Sequence, residues 1–538
     1  MSEFFLELFS EEIPAGLQKN LREKIFEDFK NLFEEKSIRS KKNFSFSTPN
    51  RLVLVFEGLD KQIKIKSKEI RGPKTSAPEQ ALEGFLRSNK INKRDLFKKK
   101  TEKDEFYFYK TVATSLKTHD LLTEFIPKIL SNYQWKKSMK WGEFDLNWGR
   151  PLKSILSIFD KKIVSFKFHH LTSSNLTFVD KDFEEKKRSF ENFKKYEKFF
   201  EDNGVIVNQN KRLKIINKSF LKILGKKGLK INENPKLMDE VVNLVDSPNV
   251  LLCKFDKKFL SVPKEILTLT MESHQKYFPT FNDKNEITNE FLIVTNKKDK
   301  KGLIKIGNER VVDARLSDAE FFWNKDKVQN LVKKVTDLKS MNFFKGLGSY
   351  FDKVQRMRKI GGMISDELLI SKEKVELLAS ICKTDLTSDL VGEFPELQGL
   401  MGGYFSEYQG FDKDISLAIS EQYLPIGLNS IVPKKPFSVT LSITDKIDTL
   451  VGFFGINEQP TSSKDPLALR RIALGIIRTT IENRKNLKIN DLLNYSSRLY
   501  DDQGYNLENK DLHNELQDFL KDRFRYYLKE KEIRYDII

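Results

Sequence analysis

The sequence predicts a multidomain α+β protein, with a mixed α/β N-terminal half followed by an all-helical region. A chain of 538 residues is too long for one hydrophobic core. Strand patterns are frequent before residue 305, and helical periodicity dominates after it. We therefore predict four regions: 1–165 and 166–305, both mixed, then a helical region at 306–490 and the start of another at 491–538.

The N-terminal region begins with a strand, a turn and a helix. Glu3–Phe9 is apolar and β-compatible, and Pro14 and Gly16 predict the turn that follows. The next apolar residues are spaced by four, four, four and three, which predicts a helix through Leu17, Leu21, Ile25, Phe29 and Leu32. A second strand is predicted over Arg51–Phe56, after Pro49.

Three segments between residues 61 and 200 combine many charged residues with aromatic ones. The lysine-rich stretch Lys61–Lys110 is weakly patterned, and we favour a solvated surface over a basic arm. Tryptophans interleaved with lysines could form either an RNA-stacking platform or a core, and neither reading is preferred for Trp135, Trp141 and Trp148. We predict that 183–200 is a charged, exposed helix whose apolar stripe contains Phe190, Phe193 and Phe200.

The second half of the chain shows mainly helical spacing. Before it, strands are predicted at Leu251–Phe255 and Phe291–Thr295, around a helix from Pro263 to His274. Helical spacing then places on one face Val312, Leu316, Ala319 and Trp323. Another helix is predicted to begin at Asp465-Pro466, with an apolar face of Leu469, Ile472, Ala473, Ile476 and Ile477.

One further predicted helix carries three charged residues. Its inward face would be formed by Val439, Ile443, Ile447, Leu450 and Phe454. The helical spacing leaves Asp445, Lys446 and Asp448 on or beside the opposite face. We also expect close packing at Gly361-Gly362, because two glycines interrupt a helical pattern there.

The charge of the chain points to a polyanionic partner. Its formal charge is +18 and its pI is about 9.3, and clustered Lys and Arg displace counterions from phosphate backbones. Lys, Asn, Ile and Phe are enriched in the chain, as they are in proteins from AT-rich genomes. The charge alone therefore does not distinguish a polyanionic partner from a compositional bias. Two distant cysteines, no signal peptide and no apolar run of about 20 residues favour a cytoplasmic protein without a membrane span.

The residues alone predict neither a catalytic site nor a metal site. None of the five histidines has metal-binding spacing, and His119-Asp120 is interpreted as a surface pair. There is no P-loop and no nucleophile elbow, and Gly399–Gly403 has the wrong spacing for a dinucleotide fingerprint. These observations lead only to a large, basic, RNA-associated protein.

Several motifs, in order along the whole chain, resemble the beta subunit family of bacterial glycyl-tRNA synthetase. In the first half they are Leu6–Pro14, Thr48–Leu52, Met139–Gly142 with Arg150-Pro151, and Ser273–Pro279. In the second half they are Gly307–Val312, Arg315–Phe322, Lys383–Leu386, Glu393–Gly402, Asp445–Leu450 and Asp465–Arg471. Asn50 replaces one arginine of the family pattern, and Thr177–Phe183 departs from its Gly-His-Arg-Phe segment.

The resemblance implies ATP-dependent ligation of glycine to tRNA by a complex of two alpha and two beta subunits. The alpha subunit would hold ATP, glycine and magnesium, and this chain would bind no cofactor and would position tRNA(Gly). Candidate residues for contact with tRNA or with the other subunit are Arg51, Lys140, Arg150, Arg310, Arg315, Arg470 and Arg471. A salt bridge, for example from Arg470 to Asp465, is the alternative for each.

The resemblance also implies an HD-phosphohydrolase-like fold for residues 306–490. This segment contains no histidine, and Asp385, Asp445 and Asp448 alone could not reproduce a mixed imidazole and carboxylate site. We therefore expect a metal-free scaffold, and we expect the family's C-terminal anticodon-binding domain to be missing. The alternatives are a stand-alone tRNA-binding or RNA-binding protein and a divergent HD-type phosphohydrolase.

Overall fold

The computed structural model describes residues 2–65, 67–100, 104–111, 114–179, 186–462, 464–534 and 536. The chain forms two compact units. Unit 1 consists of Met1–Phe255 and Met271–Glu309, and unit 2 consists of Asp256–Thr270 and Arg310–Ile538. The expected boundary near residue 305 falls inside the helix Leu303–Asp326, which both units share. The finer division into four regions stays a prediction.

Unit 1 contains, within its described residues, seventeen strands and seven α-helices or parts of α-helices. Its strands are β1 (Glu3–Ser10), β2 (Lys42–Thr48), β3 (Arg51–Glu57), β4 (Gln62–Ile65), β5 (Glu69–Lys74), β6 (Leu96–Lys100), β7 (Glu105–Lys110), β8 (Thr114–Lys117), β9 (Leu152–Phe159), β10 (Lys162–Ile163), β11 (Lys167–Phe168), β12 (Leu171–Thr172), β13 (Leu176–Phe178), β14 (Lys187–Ser189), β15 (Asn249–Lys254), β16 (Phe278–Phe281) and β17 (Ile287–Thr295). Its helices are α1 (Ala15–Glu35), α2 (Glu79–Asn89), α3 (Thr118–Asn132), α4 (Phe193–Asp202), α5 (Gln209–Lys227), α6 (Pro235–Leu244) and the beginning of the shared helix.

The main sheet of unit 1 is antiparallel, in the order β10-β9-β1-β3-β2. One face packs on α1 and α3, where Phe4 meets Phe29. The other face packs on α4, where Phe5 meets Tyr196. Because both faces are covered, β1 and β3 are apolar along their length, and this confirms the two strands and the helix predicted at the N-terminus.

The structure changes the prediction for residues 183–200. The described helix, α4, begins only at Phe193, and residues 183–185 lie outside the described residues. Phe190 precedes the helix, and Phe190, Phe193 and Phe200 are all buried against the sheet. The apolar stripe is therefore part of a core, and the helix is shorter than its periodicity suggested.

The tryptophan segment belongs to the core beneath α1 and α3. Trp148 is buried, and the ring centroids of Trp135 and Trp148 lie 5.0 Å apart. Trp141 packs against the same core while partly exposed. Of the two interpretations left open by the sequence, the structure supports core packing for this segment.

A second core of unit 1 lies between α5, α6 and the sheet β15-β17-β16. The strands predicted at residues 251–255 and 291–295 are confirmed as β15 and β17, although β15 ends one residue before Phe255. The helix predicted between them is α7 (Lys264–Leu269), followed by one π-helical turn at Thr270–His274. Pro263 is its N-cap and not its first helical residue.

Unit 2 is mainly helical. Its elements are α7, most of α8 (Leu303–Asp326), α9 (Leu331–Lys334), the short hairpin β18 (Asn342–Phe344) and β19 (Gly348–Ser349), then α10 (Tyr350–Leu368), α11 (Lys372–Ile381), α12 (Asp389–Glu393), α13 (Leu400–Tyr408), α14 (Lys413–Glu421), α15 (Pro436–Gly455), α16 (Leu469–Glu482), α17 (Ile489–Asp502) and α18 (Leu512–Glu530). The predicted inward face of α8 is confirmed, because it buries Val312, Leu316, Ala319 and Trp323. The hairpin is an exception to the all-helical prediction.

Helix α15 is the centre of unit 2 and packs against α10, α14, α16, α17 and α18. The predicted close approach at the paired glycines of α10 is confirmed. A Cβ atom added to Gly361 would lie 2.8 Å from Val375 of α11. Within the described residues, no helix is both long and apolar enough to span a bilayer.

The start of α16 differs from the prediction. The helix begins at Leu469, three residues after Pro466, and Ala468 before it adopts a positive φ of 56°. Asp465 nevertheless caps the helix, because its carboxylate accepts hydrogen bonds from the backbone N–H groups of Leu469 and Arg470 at 2.9 and 3.1 Å. The expected capping residue is therefore correct, and the expected first turn is not.

Candidate functional site: a buried charge cluster and its cavity

Unit 2 buries a cluster of charged side chains around α15. The sequence placed Asp445, Lys446 and Asp448 on a face away from the core, and that prediction is wrong, because all three are buried. Helix α15 is covered on every side, so it has no solvent face to present. Lys353 and Arg356 lie on α10, and Lys383 follows α11.

Asp448 is the most enclosed carboxylate of the cluster. It accepts hydrogen bonds from Arg356 Nε at 2.6 Å and Nη2 at 3.2 Å, and from Lys353 Nζ at 3.0 Å. Tyr500 Oη also lies 3.3 Å from Asp448 Oδ2. Burial by itself would raise the pKa of this carboxyl group, but Arg356 and Lys353 outweigh burial and hold the pKa below its ordinary value. Asp448 is therefore an ionised, internally paired carboxylate.

Asp445 is held by two ammonium groups. Its oxygens lie 3.1 Å from Lys353 Nζ and 3.2 Å from Lys383 Nζ. Burial opposes ionisation, yet the two lysines lower the pKa of Asp445 well below its usual range. Lys383 also donates a hydrogen bond to Tyr423 Oη at 3.0 Å. These contacts stabilise Asp445 as an anion.

Lys446 is the exception, because no carboxylate contacts its ammonium group within the described hydrogen bonds and ion pairs. Its Nζ donates to the Leu424 carbonyl oxygen and to Ser442 Oγ, both at 2.8 Å. Burial lowers the pKa of Lys446 to about 7, and Lys383 adds to this effect while Asp445 opposes it. Three cationic side chains thus share the two carboxylates. Lys446, the fourth cation, contacts neither carboxylate and has the lowered pKa.

Asp385 lies near this cluster but has a separate role. Its carboxylate accepts hydrogen bonds from the backbone N–H groups of Gly399 and Gly402. Burial raises its pKa to about 6. A Cβ atom added to Gly402 would lie 3.2 Å from the Asp385 carboxyl carbon, so glycine permits this close approach. Asp385 therefore fixes the loop before α13.

The cluster lacks the chemistry of a metal site. The oxygens of Asp445 and Asp448 already contact lysine and arginine groups. A divalent cation bound to these oxygens would lie beside buried positive charges that had lost their counterions. Across the described ranges, no group of three His, Cys, Asp or Glu side chains is arranged to hold a metal ion. The arrangement connects α10, α15 and α17 with the segments that follow α11 and α14. It presents no nucleophile with an adjacent base.

An open cavity of about 640 Å³ lies beside the cluster. Tyr423 and Lys446 belong to both, and Arg471 of α16 lies on the cavity wall. Its other polar lining residues are Glu396, Gln398 and Ser420. Because Arg471 is exposed, the cavity wall offers one accessible guanidinium group to an external ligand.

The remaining predicted contact residues differ in their surroundings. Lys140, Arg310 and Arg315 are exposed. Arg150 is half-buried and donates to the Gly149 carbonyl oxygen at 3.0 Å. Arg470 is half-buried and donates to the Thr461 carbonyl oxygen at 2.6 Å. Asp465 contacts the backbone of Arg470, so the structure shows a helix cap there and not the salt bridge that was the alternative to a contact role.

Arg51 lies within the interior of unit 1. Its guanidinium pairs with Glu7 at 2.5 Å, donates to the Phe178 carbonyl oxygen at 2.6 Å and lies between the rings of Phe9 and Phe200. Tyr196 Oη donates to the same Glu7 oxygen. All of these partners belong to one unit, so Arg51 joins β1, β3, β13 and α4 and is not available at the surface.

Sequence reasoning did not single out Lys353 or Arg356, and it named Lys383 only within a family motif and not as a buried charge partner. One signal was present: α15 contains only three charged residues among twenty, in a chain that is 32% charged. A helix that is apolar or small on every side is a buried helix. Its three charges should therefore have led to a search for buried partners on neighbouring helices.

Comparison with known proteins identifies the family. A family model described as "Glycyl-tRNA synthetase beta subunit" matches residues 4–538. The glycine--tRNA ligase beta subunit of Rickettsia canadensis (strain McKiel) is 39% identical over 538 residues, which is 100% of this chain and 79% of the relative. That of Rickettsia conorii (strain ATCC VR-613 / Malish 7) is 39% identical over 530 residues, 98% of this chain and 78% of the relative. The family indicated by the sequence motifs is thus confirmed, and the chain belongs to the glycyl-tRNA synthetase beta subunit family.

Proposed function

We propose that this chain is the beta subunit of a glycine–tRNA ligase and that it positions tRNA(Gly) for glycylation on a separate alpha subunit. The observation that carries this proposal is the family match over residues 4–538, together with 39% identity to named glycine--tRNA ligase beta subunits. The complex would contain two alpha and two beta subunits and act in the cytoplasm. ATP and magnesium would bind to the alpha subunit, and this chain would bind neither.

The charges of the chain support a binding role more than a catalytic one. In unit 2, the buried Lys353, Arg356 and Lys383 pair with Asp445 and Asp448, and that network contributes to the stability of the fold. The exposed arginines remain available for phosphates. We propose Lys140, Arg310, Arg315 and Arg471 as direct contacts with tRNA or the alpha subunit, and Arg150 and Arg470 as partly buried contributors. Arg51 would act only through the fold of unit 1.

We also propose that unit 2 is an HD-like scaffold without a metal. Lys353 and Lys383 supply positive charge to Asp445, as a cation would in a metal-binding relative. This proposal predicts no metal-dependent phosphate release by the purified chain. Phosphate release that depends on added metal and disappears in Asp445→Ala would contradict it.

The test of the main proposal is reconstitution with the alpha subunit of the same organism. Glycylation of tRNA(Gly) should require both chains, and Arg315→Ala should lower kcat/KM for tRNA about tenfold or more if this arginine loses a phosphate contact. Lys284 is exposed in the turn between β16 and β17, and Lys284→Ala is the matched control. This control should change kcat/KM for tRNA less than about twofold.

Two outcomes would overturn this assignment. Glycylation by the alpha subunit alone at the full rate would remove any need for the chain. tRNA binding by the chain with no complex formed and no effect on glycylation would instead favour a stand-alone RNA-binding protein.

A further inference from the structure

Residues 61–117 form a separate insertion in unit 1, which we name the basic module. The insertion leaves the main sheet after β3 and returns at α3. Strands β4 and β8, near its two ends, pair with each other. Between them lie the three-stranded sheet β5-β7-β6 and the helix α2. The stretch expected to be a weakly patterned surface is therefore a small folded element.

The basic module contains half of the net charge of the protein. It has sixteen Lys and Arg residues against seven Asp and Glu residues, a net charge of +9 in 57 residues. The other 481 residues together carry the remaining +9. A general compositional bias toward lysine would spread the excess along the chain. Its concentration in one tenth of the chain indicates a local cause.

The module has little apolar material with which to stabilise itself. Its buried hydrophobic side chains, within the described part, are Leu82, Phe106 and Phe108. A domain that needed only to fold would balance its surface lysines with acidic residues, because like charges repel one another in the compact state. The excess charge lowers stability, and a polyanion that neutralises it would recover that loss.

Cationic and aromatic side chains alternate across the small sheet. The Arg71 guanidinium lies 3.5 Å from the Phe106 ring centroid, and Lys99 Nζ lies 5.6 Å from that of Phe108. Strand β7 buries Phe106 and Phe108 and leaves the alternate residues Tyr107 and Tyr109 half-buried. In the register of the sheet, Lys98 is opposite Tyr107. Partly accessible tyrosines beside lysines are the combination that binds bases by stacking and phosphates by charge.

We propose that the basic module is an RNA-binding site that contacts the phosphate backbone of the tRNA, with the exposed side chains of Arg94, Lys98 and Lys100 as phosphate contacts and Tyr107 and Tyr109 as partners for stacking. This proposal rests on the proposed function, since it assigns tRNA binding to one part of the chain. RNA fits the module better than an acidic protein does, because the aromatic rings are interleaved with the charges and a purely electrostatic contact would not need them.

The experiment compares two triple variants of the full chain in complex with the alpha subunit. One is Arg94→Ala/Lys98→Ala/Lys100→Ala, in the module. The matched control is Lys214→Ala/Lys218→Ala/Lys222→Ala, which removes three exposed charges from α5. Fluorescence anisotropy with labelled tRNA(Gly) gives Kd over a range of roughly 50 to 200 mM salt. Because the control alters net charge equally, it separates a local contact from general electrostatic attraction.

We expect the module variant to bind tRNA at least about tenfold more weakly at low salt. Its slope of log K against log salt should decrease by about 2 to 3, since each lost phosphate contact removes about 0.7 to 0.9. The control should change Kd less than about twofold. Tyr107→Ala should weaken binding about fivefold or more without changing the salt slope, because stacking does not release counterions.

The outcomes separate this inference from the proposed function. Equal loss of binding in the two triple variants, or none in the module variant, overturns the inference while the ligase assignment stands. Loss of alpha-subunit assembly with tRNA affinity retained would also overturn it, since the module would then be a protein interface. If the wild-type complex neither binds nor glycylates tRNA(Gly), the proposed function itself fails. Circular dichroism of each variant checks that the fold is intact.

Discussion

The charge cluster around α15 and the basic module use the same residue types in opposite ways. In unit 2, Lys353, Arg356 and Lys383 lie in the interior, each within 3.2 Å of a carboxylate oxygen. In the module, Lys98 and Lys100 are exposed on a sheet that has few buried apolar residues. A charged side chain that is buried with its counterion stabilises the fold, whereas a charged side chain exposed to water is available to bind a partner. The location of a lysine, and not its presence, decides its role.

The largest expected effect is the loss of the central carboxylate of the cluster. Asp448→Ala would leave Arg356 and Lys353 buried without their main counterion. We expect unit 2 to lose about 3 to 5 kcal/mol of stability. Hydrogen exchange of the α15 peptides, followed through urea unfolding, measures this effect locally. The exposed Asp518→Ala in α18 is the control and should change stability by less than about 0.5 kcal/mol.

A small effect of Asp448→Ala on the stability of unit 2 would contradict the contrast between the two regions. Stability lowered by less than about 1 kcal/mol would mean that water reaches the cluster and solvates the cations. Burial would then not distinguish the two regions. Asp448→Asn should fall between the wild type and the alanine variant, since the amide keeps an acceptor but loses the charge.

The second effect concerns the pH dependence of stability. The pKa of Lys446 is about 7 in the folded protein and about 10.4 when the chain is unfolded. Between these values the unfolded state binds more protons, so the contribution of Lys446 to stability rises with pH. The cost of the buried ammonium is fully present below about pH 7 and decreases above it.

Lys446→Met should remove this dependence. Relative to the wild type, the variant should lose about 2 kcal/mol between about pH 7 and pH 9, because only the wild type gains stability over that range. Urea unfolding of both proteins at each pH gives the difference. Lys359→Met, at an exposed position of α10, provides the control for removing a lysine. Parallel curves for the wild type and Lys446→Met would show that Lys446 keeps an ordinary pKa.

The smallest expected effect is on the stability of unit 1 when charges are removed from the basic module. Arg94→Ala/Lys98→Ala/Lys100→Ala removes three charges, yet the stability of unit 1 should change by no more than about 0.5 kcal/mol per position. The weaker repulsion within the module offsets part of any loss of stability. Thermal unfolding at low salt measures it. A loss above about 3 kcal/mol would mean that these side chains support the fold, as the cluster in unit 2 does.

Patterns that depend on one element were predictable. The strand β1, the helix α1 and the buried face of α8 follow from the spacing of apolar residues, and the structure confirms all three. The two glycines of α10 correctly indicated close packing. Asp465 was recognised as a cap, but the first turn of α16 was displaced to Leu469 because Ala468 adopts a left-handed conformation.

Patterns that depend on neighbouring elements were not predictable in the same way. Helical spacing assumes one buried and one exposed face, and α15 has neighbours on all sides, so Asp445, Lys446 and Asp448 were misplaced. Arg51 was predicted as a surface contact, although Glu7, Phe9 and Phe200 enclose it. Glu7, Phe9 and Phe200 are all far from Arg51 in the sequence. The spacing of residues along the chain therefore carries no information about these contacts.

The sequence by itself determined the family, single elements such as β1 and α1, and the concentration of positive charge in residues 61–117, because these properties are read directly along the chain. Only the tertiary structure decided which charges are buried and paired. That choice depends on whether packing excludes water and brings an opposite charge within about 3 Å. Lys353 and Lys98 illustrate this, since the fold alone makes one internal and the other available to a partner.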